Sequence, residues 1–451
     1  MDEKPRRRIA AGFQLLTPRR TLGGNPIEGR MQISLAKIGS FLAGGFVTQV
    51  AGAFAGLLLA RWMSVADYAI YTIGITVVGA IRLLTRSGVQ IGLAAELARN
   101  WPDTDAAATA LDAAMRVRML VSALIMPPLL LAAWFLLERA GASPLVQAGI
   151  LAILGVTWLA DLYGSVLDQL LFFDGKALRM QMLDATISVG RLVLILVLRF
   201  LGLVSATTAL LSNVFTVAAR VPNLRSWVKA SLSGAAIRDS REVDRTIRRV
   251  ALRQLPVDIF VALQAQSAIF FLSTSGSDAM ELAAYGAIAR IAQVLTPFSA
   301  LIFAYYVPSF SKVRSKVVIH LLAYVAIGAL PGLALFGFAA LSPETLLTLI
   351  GPNYASQTRP LIVCAATVAV MSAVDVATNL VAHRGWNHWG WLRIGFGILW
   401  CAAAPVFIQV NTASGAYIFY CGFSVGTLIA LVMDLLSART RGEISLIREK
   451  V

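Results

Sequence analysis

The sequence predicts an all-α integral membrane protein with about twelve transmembrane helices in two halves of six. Three observations predict it. Apolar residues make up 58% of the 451-residue chain and charged residues only 14%, against roughly 45–50% and 25% in soluble proteins; the mean hydropathy is +0.73. The apolar runs last about 20 residues or longer, enough for a helix to cross a bilayer, whereas barrel strands need about 10 alternating residues. Lipid offers the backbone no hydrogen bonds, so such runs must satisfy their own as helices. The third observation is the placement of the basic residues.

Spans are expected at 34–60, 66–86, 118–138, 146–171, 180–200, 204–224, 251–272, 282–308, 317–341, 360–382, 391–410 and 414–436. Connections are short except for the N-terminal arm, 87–117 and a basic loop at 225–250. With the N-terminus in the cytoplasm, only Arg61, Arg139, Arg199 and Arg359 fall outside. Arg191 and Arg290 fall within spans, and every other Lys and Arg of the 39 lies inside. That bias predicts cytoplasmic termini and an even number of spans. It also accounts for the net charge of +15. No zinc-finger spacing or RNP-type aromatic run suggests nucleic acid.

The chain then divides into a basic arm (1–33, with Arg6, Arg7, Arg8, Arg19 and Arg20), a first lobe (34–228), a cytoplasmic basic linker (229–249), a second lobe (250–438) and a tail (439–451). The first apolar stretch is longer than the roughly 7–15 residues of a cleavable signal segment, so it reads as a retained span. The linker, with Arg238, Arg241, Arg245, Arg248 and Arg249, is expected to lie on anionic lipid head groups or to meet a regulatory partner. Cys364, Cys401 and Cys421 sit inside apolar runs, so no disulfide framework is expected. His320, His383 and His388 have no metal-ligand spacing.

A faint repeat links the halves. Val65-Ala-Asp-Tyr-Ala-Ile-Tyr opens the second span, and Leu282-Ala-Ala-Tyr-Gly-Ala-Ile opens the eighth. Repeats about an axis along the membrane normal are a transporter architecture. The first span is rich in small residues (Gly44, Gly45, Gly52, Gly56), and Gly52 with Gly56 fits a close helix contact. Ala60-Arg-Trp-Met-Ser-Val-Ala-Asp-Tyr-Ala-Ile-Tyr, the long second span, Glu96-Leu-Ala-Arg and Gly351-Pro-Asn-Tyr-Ala-Ser-Gln-Thr-Arg-Pro-Leu follow in order. In these features the chain resembles the polysaccharide-exporter, Wzx-type flippase branch of the multidrug/oligosaccharidyl-lipid/polysaccharide (MOP) superfamily, over about 34–436. One departure is Ala69, where a Gly usually follows the first Tyr; Gly286 keeps it in the second half. The resemblance implies two six-helix lobes around a central cavity. It also implies movement of a polyprenyl-pyrophosphate-linked oligosaccharide from the inner to the outer leaflet of a bacterial inner membrane, with polysaccharide polymerase or export machinery as partners.

Ionisable groups inside spans are costly, by roughly 2.5–3.5 kcal/mol at mid-membrane, and usually face the bundle interior. The deepest are Asp161, Arg191, Asp258, Arg290 and Asp375; Asp168, Asp184, Arg253, Arg220, Arg82, Arg86 and Lys37 lie nearer the cytoplasm. Arg matches phosphate with bidentate geometry. Arg191 and Arg290, from different halves, are expected to contact the substrate, with Arg253 and Arg86 receiving the pyrophosphate at the inner opening. The alternative for Arg191 is an ion pair with Asp161 on the neighbouring span, and for Arg82 and Arg86 it is snorkelling to head groups. Asp258, two residues after the kink-prone Pro256, is a candidate for coupling to H+ or Na+, as are Asp161 and Asp375. No other cofactor is expected. A cation-coupled multidrug exporter and a membrane glycosyltransferase or polymerase are the competing functions. The enzyme reading lacks a sizeable outer loop, since 342–359 offers only Glu344 and Arg359.

Overall fold

The computed structural model describes residues 35–441 apart from 239–240, 277, 299–301, 303–305, 307–309, 311–312 and 314–315, and gives only the backbone of 35–42 and of Ser87. The basic arm, the tail beyond 441 and much of the second part of span eight lie outside those residues. The rest is helical: α1 (Leu35–Trp62), α2 (Val65–Asn100), α3 (Thr104–Arg139), α4 (Pro144–Phe173), α5 (Ala177–Phe200), α6 (Ala206–Ser231), α7 (Arg241–Thr274), α8 (Ala279–Gln293), α9 (Val317–Leu341), a short α10 (Pro343–Ile350), α11 (Thr358–His383), α12 (Leu392–Phe407) and α13 (Ala413–Thr440). Every expected span has a helix at its position. Nine of the described helices are long and apolar enough to cross a membrane. The four outside that set are α6, whose apolar run is broken by polar residues such as Asn213 and Arg220, and the shorter α8, α10 and α12.

The helix ends follow local chemistry. Ser64 caps α2 by accepting from the Asp67 amide at 3.1 Å. Asp103 accepts from the amides of Asp105 and Ala106 at 2.9 and 3.1 Å, satisfying free N–H groups at the start of α3. A capping box between Ser205 and Thr208 opens α6. Pro144 and Pro343 stand in the first turns of α4 and α10, where a missing N–H costs nothing.

The connections expected at 87–117 and 225–250 are mostly helix instead. Hydropathy stops where charges begin, but the backbone does not: α2 continues to Asn100, α3 begins at Thr104, and α7 begins at Arg241. Helices of 36 residues reach about 54 Å, well beyond a hydrocarbon core of about 30 Å. Their polar ends are held by ion pairs such as Arg99 with Glu96 (3.0 Å) and Arg238 with Asp105 (2.9 Å).

α1 lies along α5, α2 along α3 and α7, and α4 along α6; in the second half α9 lies along α11, and α11 along α13. The halves meet where α2 and α1 pack on α7 and α8. That seam is tight: a Cβ added at Gly88 would lie 2.7 Å from Ala251 Cα, and one at Gly92 would lie 3.1 Å from Ile247 Cα.

One end of the bundle carries α10 and is called the lid end; the other carries the basic linker and is called the basic end. The two ends are built differently. Toward the lid end, a single core joins both halves, running from Leu59, Tyr68 and Leu137 to Leu272, Ile288, Tyr354 and Phe419. Toward the basic end the core divides. One part holds first-half residues such as Leu93, Val117 and Leu170 together with Ile247 and Ala251 of α7. The other holds Phe310, Leu321, Leu380 and Leu431 of the second half. α7 therefore crosses over. Its basic-end turns pack with the first half, whereas its Phe271 ring meets Phe419 of α13 at 5.0 Å. Pro256 and Asp258 lie between those two stretches.

Candidate functional site

Arg191 apart, the ionisable groups on the spans of the first half gather into two clusters. On α4, Asp161, Ser165 and Asp168 stand at helical spacings of four and three, so they share one polar stripe. Asp161 receives Arg118 Nη2 from α3 at 3.1 Å and Arg86 Nε from α2 at 3.3 Å, with Arg86 Nη2 also bonded to it. Arg82 Nε stands 3.9 Å away. Arg118 is only 1% exposed and also bonds Ser165 and, at 3.3 Å, Thr85. Three guanidinium groups thus surround one carboxylate. About two turns further along, Arg220 of α6 holds Asp184 of α5 at 2.5 Å and Asp168 at 2.9 Å.

This corrects two expectations. Asp161 does not pair with Arg191; its partners come from α2 and α3, to which the α4 stripe is turned. Nor do Arg82 and Arg86 snorkel to head groups, because the buried carboxylate draws them inward. Arg118 was missed altogether, since it stands at the edge of an apolar run and reads as an interfacial charge.

Arg191 and Arg290 are arranged differently. Arg191, on α5, donates from Nε to Ser212 Oγ and from Nη2 to Tyr71 Oη, both at 3.3 Å. Arg290, on α8, lies against Gly56 of α1, where an added Cβ would be 2.7 Å from Arg290 Cδ. Its Cζ is 6.0 Å from the centre of the Tyr71 ring, a cation–π distance. Its Nη1 donates to Gln293 at 3.0 Å, and its Nε is buried with no hydrogen-bond partner among the described residues. Two cations from opposite halves therefore converge on one buried tyrosine, and the hydrogen bonds found for them go to neutral groups. Arg82, which stands by Asp161, is also within electrostatic reach of Arg191 and Arg220. Sequence reasoning did not single out Tyr71. Its place one helical turn after Tyr68 in the repeat was the available signal.

The remaining expected residues do not join this pair. Arg253 is exposed on α7, on the side away from Ala251 and α2. Asp258 is buried and accepts from Gln254 at 3.1 Å, bridging the turn that contains Pro256. Asp375 is exposed on α11, within electrostatic reach of Arg393. Cys364, Cys401 and Cys421 are free thiols. Among the described residues, no three or more His, Cys, Asp or Glu side chains gather as a metal site.

No protein-family model matches the chain, and no curated protein does. Solved structures do share its fold. An inward-facing multidrug resistance MATE family transporter of the MOP superfamily aligns with a TM-score of 0.63 at 16% identity, over 87% of this chain and 94% of that one. The lipid II flippase MurJ, in an inward closed conformation, aligns at 0.63 and 11% identity, over 88% and 87%. A MOP superfamily transporter from Pyrococcus furiosus, described as having a binding pocket of reverse polarity, aligns at 0.51 and 15% identity, over 90% and 94%. The chain is thus a multi-pass α-helical membrane protein with the fold of MOP-superfamily transporters. Within that fold it carries a half-buried pair of arginines, one from each half, that meet at Tyr71.

Proposed function

We propose that this protein is a flippase rather than an enzyme, and that it carries a lipid with an anionic, phosphate-bearing head, of the polyprenyl-pyrophosphate-oligosaccharide class, by alternating access. The observation that carries the reading is the convergence of Arg191 and Arg290 on Tyr71, with Arg290 Nε left without a partner among the described residues. A pyrophosphate supplies what this site lacks: several charged acceptors for two donor forks, in surroundings where a lone cation is costly. The core, joined at the lid end and divided at the basic end, suits a state open to the cytoplasm. We assign the basic end to the cytoplasm of a bacterial inner membrane on the positive-inside pattern, and keep twelve spans with both termini inside.

In this scheme the lobes rock, the head crosses between them, and the polyprenyl tail stays in lipid. Exposed Arg253 meets the head first; Arg86, engaged with Asp161, is held back from it. Asp258 and Asp375 are the carboxylates for a coupling H+ or Na+, whereas Asp161 is structural. Polysaccharide polymerase or export machinery would receive the product. The equal fold likeness to the MATE transporter favours a second reading, a multidrug exporter, in which Asp375 would meet an organic cation.

The experiment is translocation of labelled undecaprenyl-pyrophosphate sugar in proteoliposomes, comparing wild type with Arg191→Ala and Arg290→Ala. A hydrogen bond to a charged group contributes about 1.5–3 kcal/mol, so each variant should lose roughly 10- to 150-fold in apparent affinity. Wild-type transport with both variants unimpaired rejects the cationic pair as the head-group site. Transport of organic cations but not of the lipid rejects the flippase.

A further inference from the structure

The motif Gly351-Pro-Asn-Tyr354 has no role in the scheme above, yet its tyrosine is among the most buried side chains in the protein. It belongs to a segment that closes one end of the bundle. Helix α10 buries Leu346, Leu347 and Ile350 and leaves Glu344 and Thr348 exposed, as an amphipathic cover does. Gly351 then turns the chain at φ 126°, a backbone region that side-chain-bearing residues avoid. It does so directly over Arg61 at the end of α1, whose Nη1 donates to Thr348 O at 2.9 Å. A cavity of about 490 Å³, lined by Arg61, Glu344, Thr348 and Gly351 among others, lies at this junction.

Beneath it runs a column of aromatic rings. Tyr354 meets Tyr68 edge-on, with centroids 6.4 Å apart at 70°. Tyr68 leans on Tyr71 at 5.6 Å and 43°. Tyr71 holds Arg191 through its hydroxyl and carries Arg290 beside its ring. The column therefore joins the cover to the cationic pair in three steps. Its upper member is poised rather than settled, because Tyr354 Oη is buried with no hydrogen-bond partner among the described residues. A desolvated hydroxyl of this kind weighs against the docked position and regains its bonds once it reaches water.

We propose that the segment Pro343–Tyr354 is a lid, and that Tyr71 and Tyr68 couple its opening to anion binding at Arg191 and Arg290. The proposal rests on the flippase reading for the identity of the anion, but not for the coupling itself. A phosphate oxygen is a stronger acceptor for Arg191 than a neutral phenol, since charge-assisted hydrogen bonds are roughly twice as strong. An arriving pyrophosphate draws the guanidinium away from Tyr71. Tyr71 loses its tether, the stack with Tyr68 loosens, and the lid, already carrying an unsatisfied hydroxyl, is released. The side opposite entry would thus open only once the carrier is loaded. Tyr71 acts as a positioning residue: it sets both arginines and reports their occupancy.

Hydrogen–deuterium exchange of the 343–357 amides, in nanodiscs, tests this in two arms. Without ligand, Tyr71→Phe keeps the ring but frees Arg191, and should speed lid exchange several-fold. Tyr354→Phe removes the unsatisfied hydroxyl and should slow it. With undecaprenyl pyrophosphate as the probe, wild-type lid exchange should rise several-fold, and Tyr71→Phe should show no further rise. Unchanged lid exchange in ligand-free Tyr71→Phe overturns the coupling whatever the probe does. A probe that binds wild type without speeding the lid also overturns it. If the probe fails to bind wild type while Tyr71→Phe still loosens the lid, the coupling stands and the flippase reading falls.

Discussion

Replacing Asp161 by Asn removes one charge from the most highly charged buried point of the first half while keeping the side-chain shape. The carboxylate holds Arg118 at 3.1 Å, Arg86 at 3.3 Å and Arg82 at 3.9 Å. Its own side chain is 4% exposed, and that of Arg118 is 1% exposed. Arg118 therefore has no route to water when its counter-ion goes. Two unit charges about 4 Å apart interact by about 4 kcal/mol at an effective dielectric of about 20. Removing one partner of a buried pair costs about 3–5 kcal/mol, chiefly because the other is left uncompensated. Asp161→Asn should therefore lower the folding equilibrium by two to nearly four orders of magnitude. The assay is reversible unfolding in mixed micelles titrated with SDS, supported by size-exclusion of the folded fraction. If the cost is the stranded cation, Asp161→Asn/Arg118→Met should recover a large part of it. A loss below about 1 kcal/mol in the single variant, or no recovery in the double, refutes the cluster as a structural ion pair.

Two further outcomes follow from the packing. Gly88→Ala places a carbon 2.7 Å from Ala251 Cα, so it should destabilise by about 1–3 kcal/mol by forcing α2 from α7. Gly52→Ala, with nothing within 4 Å of the new carbon, should be neutral or stabilising by up to about 1 kcal/mol. Both are read by the same unfolding assay, and equal effects would contradict the close seam. Asp174, in the turn between α4 and α5, is opposed in its charged form by burial, but hydrogen bonds involving Lys176 and Ser231 outweigh that and lower its pKa. A lowered folded-state pKa stabilises above the ordinary Asp range and is lost as pH falls through the folded value. Asp174→Asn should flatten the acid limb of the stability profile in that window and leave its alkaline side unchanged in shape.

The existence and positions of the helices were legible because about 20 apolar residues in lipid have no other fold available. Their lengths were less so. α2 runs on to Asn100 because Leu93 and Leu97 are buried against α3 and α7 on a helix already nucleated by its membrane part, which an apolar window cannot register. The rotational phase of each helix was the larger gap. Nothing between residues 86 and 161 announces that Arg86 and Asp161 meet, and proximity in the chain favoured Arg191 instead. The 161, 165, 168 stripe did carry the information, since three polar groups on one side of an apolar helix demand polar partners. The internal repeat held a similar hint: Tyr68 and Tyr285 occupy matching places, and Gly286 sits where α8 meets Thr72 of α2.

The intramembrane charges sort by whether they stay within a half or reach between halves. Asp161 with Arg82, Arg86 and Arg118, and Arg220 with Asp168 and Asp184, are confined to α2–α6. Rocking of one lobe against the other leaves every such distance unchanged, so these clusters can brace a lobe but cannot sense the motion. Arg191 and Arg290 are placed otherwise, one in each half, with Tyr71 between them. In the proposed alternating-access scheme their separation changes as the lobes rock, and an anion bridging them would be held best in one arrangement. A ligand shifts a conformational equilibrium only through differential affinity for its states. On the proposed reading, the pair drawn from both halves meets that requirement, while the tightly paired clusters would supply the rigidity against which it acts.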